Sequence, residues 1–245
     1  MSCCPSGAWP ELKPDPEYQD AGRVVESNGL NLYIVGKSEK CIIWNYDIFG
    51  FNSGRTRQLA DQLAHEGQCM VIVPDYYRGT MKDPTEPDLV EFVKKNTQWE
   101  QLKVDIEKTV LPYAKGQGAK VFGTIGTCWG TFLVLCLSAY PEIKAGVALH
   151  PSHSPISGMV DFPEKSLLEF AKGTPQLFMP AGEDSPNVKP GGLASEILGS
   201  DLTIKEFPEM SHGWTTRGDL AKPEVAKDVK LAMSEACAFF AKHVQ

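Results

Sequence analysis

The sequence has no run of about 18 apolar residues of the kind that spans a bilayer, so no transmembrane helix is expected. It has no block of lysines and arginines, and its formal net charge is −7. A nucleic-acid surface or an anionic-membrane surface is therefore not expected. It has no CxxC motif and no Cys/His cluster at zinc spacing, so no metal ligands are assigned. The first twenty residues, MSCCPSGAWPELKPDPEYQD, lack a basic n-region and an apolar h-region. No secretory signal is expected there, and the cytoplasm is the expected location. There is no internal repeat and no low-complexity tract, which excludes solenoids and arrays.

What is present is ordinary globular composition in 245 residues, with 42% hydrophobic and 22% charged side chains. That length can bury a large core without staples. The seven cysteines are odd in number and irregular in spacing, so thiols rather than a disulfide framework are expected. Cys3 and Cys4 are the one adjacent pair. They lie in a stretch rich in proline and acidic residues, read as an extended arm over 1–20 that is mobile and oxidisable. Residues 21–245 are read as a single domain.

Along that domain, short apolar runs alternate with amphipathic stretches. Strands are expected at 30–35 and 41–45, as neighbours, and at 69–73, 120–125, 145–149, 176–180 and 203–207. Helices are expected at 55–66, 129–139 and 224–243, with two more inside 89–114. Such alternation implies an α/β fold, with a mostly parallel central sheet and helices on both faces. Ligand sites in such sheets lie beyond the carboxyl ends of the strands.

The decisive segment is Gly126-Thr127-Cys128-Trp129-Gly130, between a strand and an apolar helix. This is the nucleophile-elbow pattern of the α/β-hydrolase fold, with Cys in place of Ser. The elbow turn is tight, so its neighbours two positions away must be small. The helix behind it aims its N-terminal amides at the sulfur, which favours thiolate. Set against this is an inert buried cysteine flanked by glycines, a common arrangement. The downstream order decides between them. Ala181-Gly182-Glu183-Asp184 follows a late strand, and Ser211-His212-Gly213 lies between the last strand and the last helix. Nucleophile, acid and His occur in the order the fold requires, with Cys128, Asp184 and His212 as the expected triad and Glu183 as the competing acid. His150 follows a strand end and is a lesser candidate for the cleft. His65 and His243 are read as solvated.

With these motifs in view, the chain resembles the dienelactone hydrolase (carboxymethylenebutenolidase) family. The resemblance rests on Tyr46-Asp47-Ile48-Phe49-Gly50, on Gly126-Thr127-Cys128-Trp129-Gly130 and on His212-Gly213-Trp214 with Arg217. Val73-Pro74-Asp75-Tyr76-Tyr77 is also similar. It implies hydrolysis of an enol-lactone or related ester through a thioester, without metal or organic cofactor. It implies an oxyanion hole from the Ile48 and Trp129 amides. Asp47 stands where bacterial members carry a Glu that interacts with the resting thiol, and it either does the same or braces its loop. Arg78 and Arg217 stand near positions that grip a substrate carboxylate, each one residue displaced, and either could instead be a surface residue. Tyr77, Trp129 and Trp214 form an aromatic wall or belong to the core. Thr131 replaces a second glycine. The expected partner is a small ester or lactone, with anionic ones admitted, and the chain is expected as a monomer or weak homodimer. A broader thiol esterase or thioesterase is the alternative activity. A catalytically weak ligand-binding member of the fold is the alternative class, and an amidotransferase-like elbow ranks below both.

Overall fold

The computed structural model describes residues 3–245. Eight strands form one sheet: β1 (Arg23–Ser27), β2 (Leu30–Val35), β3 (Lys40–Asn45), β4 (Met70–Pro74), β5 (Val121–Cys128), β6 (Ile143–Pro151), β7 (Gln176–Met179) and β8 (Leu202–Ile204). Their order is β1-β2-β4-β3-β5-β6-β7-β8. From β4 through β8 every pairing is parallel, while β1–β2 and β2–β4 are antiparallel. The parallel strands are continuous apolar runs because both of their faces are covered.

The expected fold class therefore holds, with two differences in detail. β2 and β3 are not neighbours, because β4 inserts between them. The strand at β1 is absent from the sequence reading. It is an exposed edge strand without an apolar run, so periodicity cannot find it. Asn28 and Gly29, both at positive φ, turn it back on β2.

Helix α1 (Thr56–Gly67) packs on β4, and α2 (Leu89–Asn96) is followed by α3 (Trp99–Asp105) and α4 (Leu111–Gly116). Residues Ile106–Val110 join α3 to α4 as a π-type segment just ahead of Pro112. Proline lacks the amide that would close the regular turn, and the widened turn accommodates it. The two helices expected within 89–114 are thus present, the second running on through the π segment. Helix α5 (Gly130–Leu137) is buried on every side. The short helices α6 (His153–Met159), α7 (Glu164–Glu169), α8 (Leu193–Leu198) and α9 (Trp214–Arg217) precede the long α10 (Pro223–His243).

Two glycines of β5 show why both faces are covered. A Cβ on Gly123 would press on Phe240 of α10, and one on Gly126 would press on Gly130 and Val134 of α5. An odd separation along a strand puts these positions on opposite faces, so α5 and α10 sandwich the strand that carries the elbow.

Candidate active site

β5 ends in Cys128, whose φ is +51°, a left-handed conformation that a side-chain-bearing residue adopts only when its surroundings enforce it. The enforcement comes from close packing. A Cβ on Gly130 would sit 2.2 Å from the Asn45 carbonyl oxygen, and one on Gly126 would sit 2.5 Å from that of Gly130. Only glycine lets the elbow close against the end of β3, where the Tyr46 ring stacks on that of Trp129 at 5.7 Å. Thr131 Oγ1 donates to the Cys128 carbonyl at 2.7 Å and accepts from the amides of Ser152 and His153. The hydroxyl at this position thus ties the elbow to the end of β6.

The three expected triad members converge. Asp184 Oδ1 lies 2.6 Å from His212 Nδ1, with both side chains essentially buried. The other Asp184 oxygen accepts from the Ala181 amide at 2.7 Å, which fixes the carboxylate. Ser152 Oγ stands between His212 Nε2, at 3.3 Å, and Cys128 Sγ, at 3.4 Å. Burial opposes ionisation of Cys128, but the neighbouring Cys3 and Cys4 thiols and the His212 charge outweigh it and hold the thiol well below its ordinary value. Burial likewise opposes charging of His212. The Asp184 carboxylate and the Cys128 sulfur overcome it and raise the imidazole to about 10. The direction of both shifts is that of a thiolate–imidazolium pair.

Sequence reasoning missed Ser152. Its signal was positional: Cys128 pairs with Pro151 in the sheet, so the next residue falls beside the nucleophile. His150 is closer to the site than expected, its ring 4.9 Å from that of His212 and its Nε2 2.6 Å from Thr215 Oγ1. Burial and the nearby His212 charge keep it neutral.

The Asp47 carboxylate is taken by Arg217, by Thr216 Oγ1 at 3.0 Å and by the Phe49 amide at 3.0 Å. These bonds tie the Asp47 loop to Thr216 and Arg217 of α9. Arg217 is correspondingly buried and neutralised, and its Nε donates to the Trp9 carbonyl. Its Nη2 is buried without a hydrogen-bond partner among the described residues. Arg78 turns outward to Asp105 at 2.8 Å, beside a separate cavity of about 250 Å³ next to Tyr76 and Gln101. Trp214 is buried against Phe207, 4.5 Å between rings, and belongs to the core. Tyr77 and Trp129 do form an aromatic cluster, at 4.5 Å, backed by Tyr46. Trp129 is held by its indole N–H to Thr97.

The largest departure concerns the arm. Among the described residues it carries no helix or strand, and its cysteines are not out in solvent. Cys3 and Cys4 are 1% and 6% exposed. Cys4 Sγ lies 3.7 Å from Cys128 Sγ, across 124 residues of sequence, and Cys3 Sγ lies 3.6 Å from that of Cys4. The arm is fastened by the Trp9 amide on the His212 carbonyl, by Ser152 Oγ on the Cys3 carbonyl and by the Gly54 amide on the Leu12 carbonyl. A cavity of about 480 Å³ opens on the outer side of Cys3 and Cys4, lined also by Pro5, Ser152 and Ser185. Cys128 does not line it and is 0% exposed.

The model of the dienelactone hydrolase family matches residues 31–244, nearly the whole domain. The chain belongs to the dienelactone hydrolase family. As a member it is a carboxylic ester hydrolase. The carboxymethylenebutenolidase homolog of Xenopus tropicalis is 30% identical over 213 residues, covering 82% of each chain. The human protein of the same name is 28% identical over the same share. Among solved structures, a cold-adapted esterase from an Arctic intertidal metagenomic library superposes with a TM-score of 0.67 at 13% identity, over 91% of this chain and 93% of that one. That likeness is one of fold. Among the described residues no helix is long and apolar enough to cross a membrane.

Proposed function

We propose that this family member hydrolyses enol-lactones or related carboxylic esters with Cys128 as nucleophile. The observation that carries the reading is Cys128 held at positive φ on the elbow, within reach of a buried His212–Asp184 pair. The Cys128 thiolate attacks the carbonyl carbon, and the carbonyl π pair moves to oxygen. The Ile48 and Trp129 amides receive that oxyanion, where a single donor is typically worth a hundredfold or more in rate. Collapse expels the alkoxide or enolate, which takes its proton from His212. Water, deprotonated by His212, then attacks the thioester and releases the thiolate. Asp184 holds the His212 tautomer and supports its charge. No step draws on a cofactor. Because Cys128 is covered, the cycle begins with the arm moving off the site. Seven cysteines with no disulfide among the described residues support a cytoplasmic setting.

The test compares a chromogenic dienelactone with p-nitrophenyl acetate, using wild type, Cys128→Ala and Cys128→Ser, with mass spectrometry for an acylated Cys128 peptide. Preferential lactone turnover that both variants lose supports the reading. Aryl-ester turnover through Cys128 without lactone turnover moves the assignment to a broader thiol esterase. Full activity in Cys128→Ala overturns it.

A further inference from the structure

The Cys3, Cys4 and Cys128 sulfurs all lie within 4.8 Å of one another, in a buried cluster of which the hydrolytic cycle requires only Cys128. Cys4 Sγ lies 3.6 Å from Cys3 Sγ and 3.7 Å from Cys128 Sγ. A tetrahedral zinc–thiolate site with bonds near 2.3 Å has sulfur–sulfur edges of about 3.8 Å. Two of the three sulfur–sulfur edges therefore already stand at ligand spacing, and the third lies within 4.8 Å.

We propose that Cys3, Cys4 and Cys128 form a trithiolate site for a thiophilic d10 cation, Zn2+ or Cu+. Sulfur ligands select these soft cations over Mg2+ and Ca2+. Three thiolates suffice for Cu+, and with Zn2+ they leave a fourth position that water can fill. On binding, Cys128 enters as the thiolate already paired with His212, the Cys3 and Cys4 S–H bonds give way to metal–sulfur bonds, and those two protons pass to solvent. Ser152 serves the site from outside. Its hydroxyl is shared between the Cys3 carbonyl and the Cys128 sulfur, which steadies the arm over the nucleophile. A cation here joins the arm to the elbow and occupies the sulfur that attacks esters. The loaded form is thus closed to substrate. The site itself is independent of the ester-hydrolase reading, and only this inhibitory consequence rests on it.

The experiment uses the full, reduced chain. ZnCl2 is titrated in competition with a chromophoric chelator, CoCl2 is added as a spectroscopic reporter, and Cu+ is titrated anaerobically against a copper(I) chelator. One equivalent of Zn2+ or Cu+ is expected, with a sulfur-to-cobalt charge-transfer band in the near ultraviolet. The Cys3→Ser/Cys4→Ser variant is expected to weaken binding at least 100-fold. Its folding is checked separately by circular dichroism and thermal unfolding. Cys237→Ser, a thiol far from the cluster, should bind as wild type does. Zn2+ alone or Cu+ alone identifies which cation the class takes. Failure of both to bind, or equal affinity in the arm variant, overturns the proposal. Binding without any esterase activity in the metal-free protein would instead leave the site standing and remove the hydrolase reading. In an active enzyme, one equivalent of metal should abolish wild-type turnover and leave that of the arm variant at its own metal-free level.

Discussion

Asp47 and Arg217, 170 residues apart in sequence, form an ion pair in which neither side chain reaches solvent. Removing one partner strands the other charge in the core, which costs about 3–5 kcal/mol, whereas an exposed pair is worth under about 1 kcal/mol. Arg217→Met should therefore lower unfolding stability by several kcal/mol in urea titration. Its residual activity should fall alike on neutral and carboxylate-bearing esters. A selective rise in KM for the anionic ester, with stability unchanged, would show a substrate clamp instead.

Asp184→Asn should leave the fold intact and cut kcat by roughly a thousandfold or more, because the buried carboxylate both orients His212 and supports its charge. The check is kcat/KM on p-nitrophenyl acetate beside circular dichroism. Glu183→Gln, at the competing acid, should stay within a few-fold of wild type.

Gly130→Ala places a methyl 2.2 Å from a backbone oxygen of β3, with no flexible side chain to give way. Strain of this kind costs about 1–3 kcal/mol and moves the elbow. The variant should lose activity by more than its thermal destabilisation accounts for. Gly116→Ala, where open space surrounds the added methyl, should be silent in both measurements.

His153 is buried beside Phe178, and neither ring nitrogen has a hydrogen-bond partner. Glu164 is 3.7 Å away, too far to offset the loss of hydration, and burial lowers the imidazole to about 3. A depressed folded-state value means that the unfolded chain binds the proton first. The stability contributed by the neutral ring is complete above pH 6.5 and is lost as pH falls toward 3, at about 1.4 kcal/mol per unit. His153→Leu should flatten that part of the stability–pH curve measured by urea titration. An unchanged slope would assign the acid lability to other groups.

What the sequence by itself determined is everything carried by local pattern. Apolar runs bounded by breakers located every parallel strand to within about three residues. Gly126 and Gly130 around Cys128 located the elbow, because close packing of strand on helix leaves room for no side chain there. Order after strand ends, where a parallel sheet exposes its loops, singled out Asp184 and His212, which lie 2.6 Å apart. Only the tertiary structure decided which distant groups meet. Asp47 faces Arg217 rather than the thiol, Ser152 sits between Cys128 and His212, and Cys3 and Cys4 cover a nucleophile 124 residues downstream. These contacts follow from strand order and from the path of an arm without periodicity. A pattern confined to neighbouring residues carries no record of either, because the energy that selects them is burial and charge pairing across the whole fold.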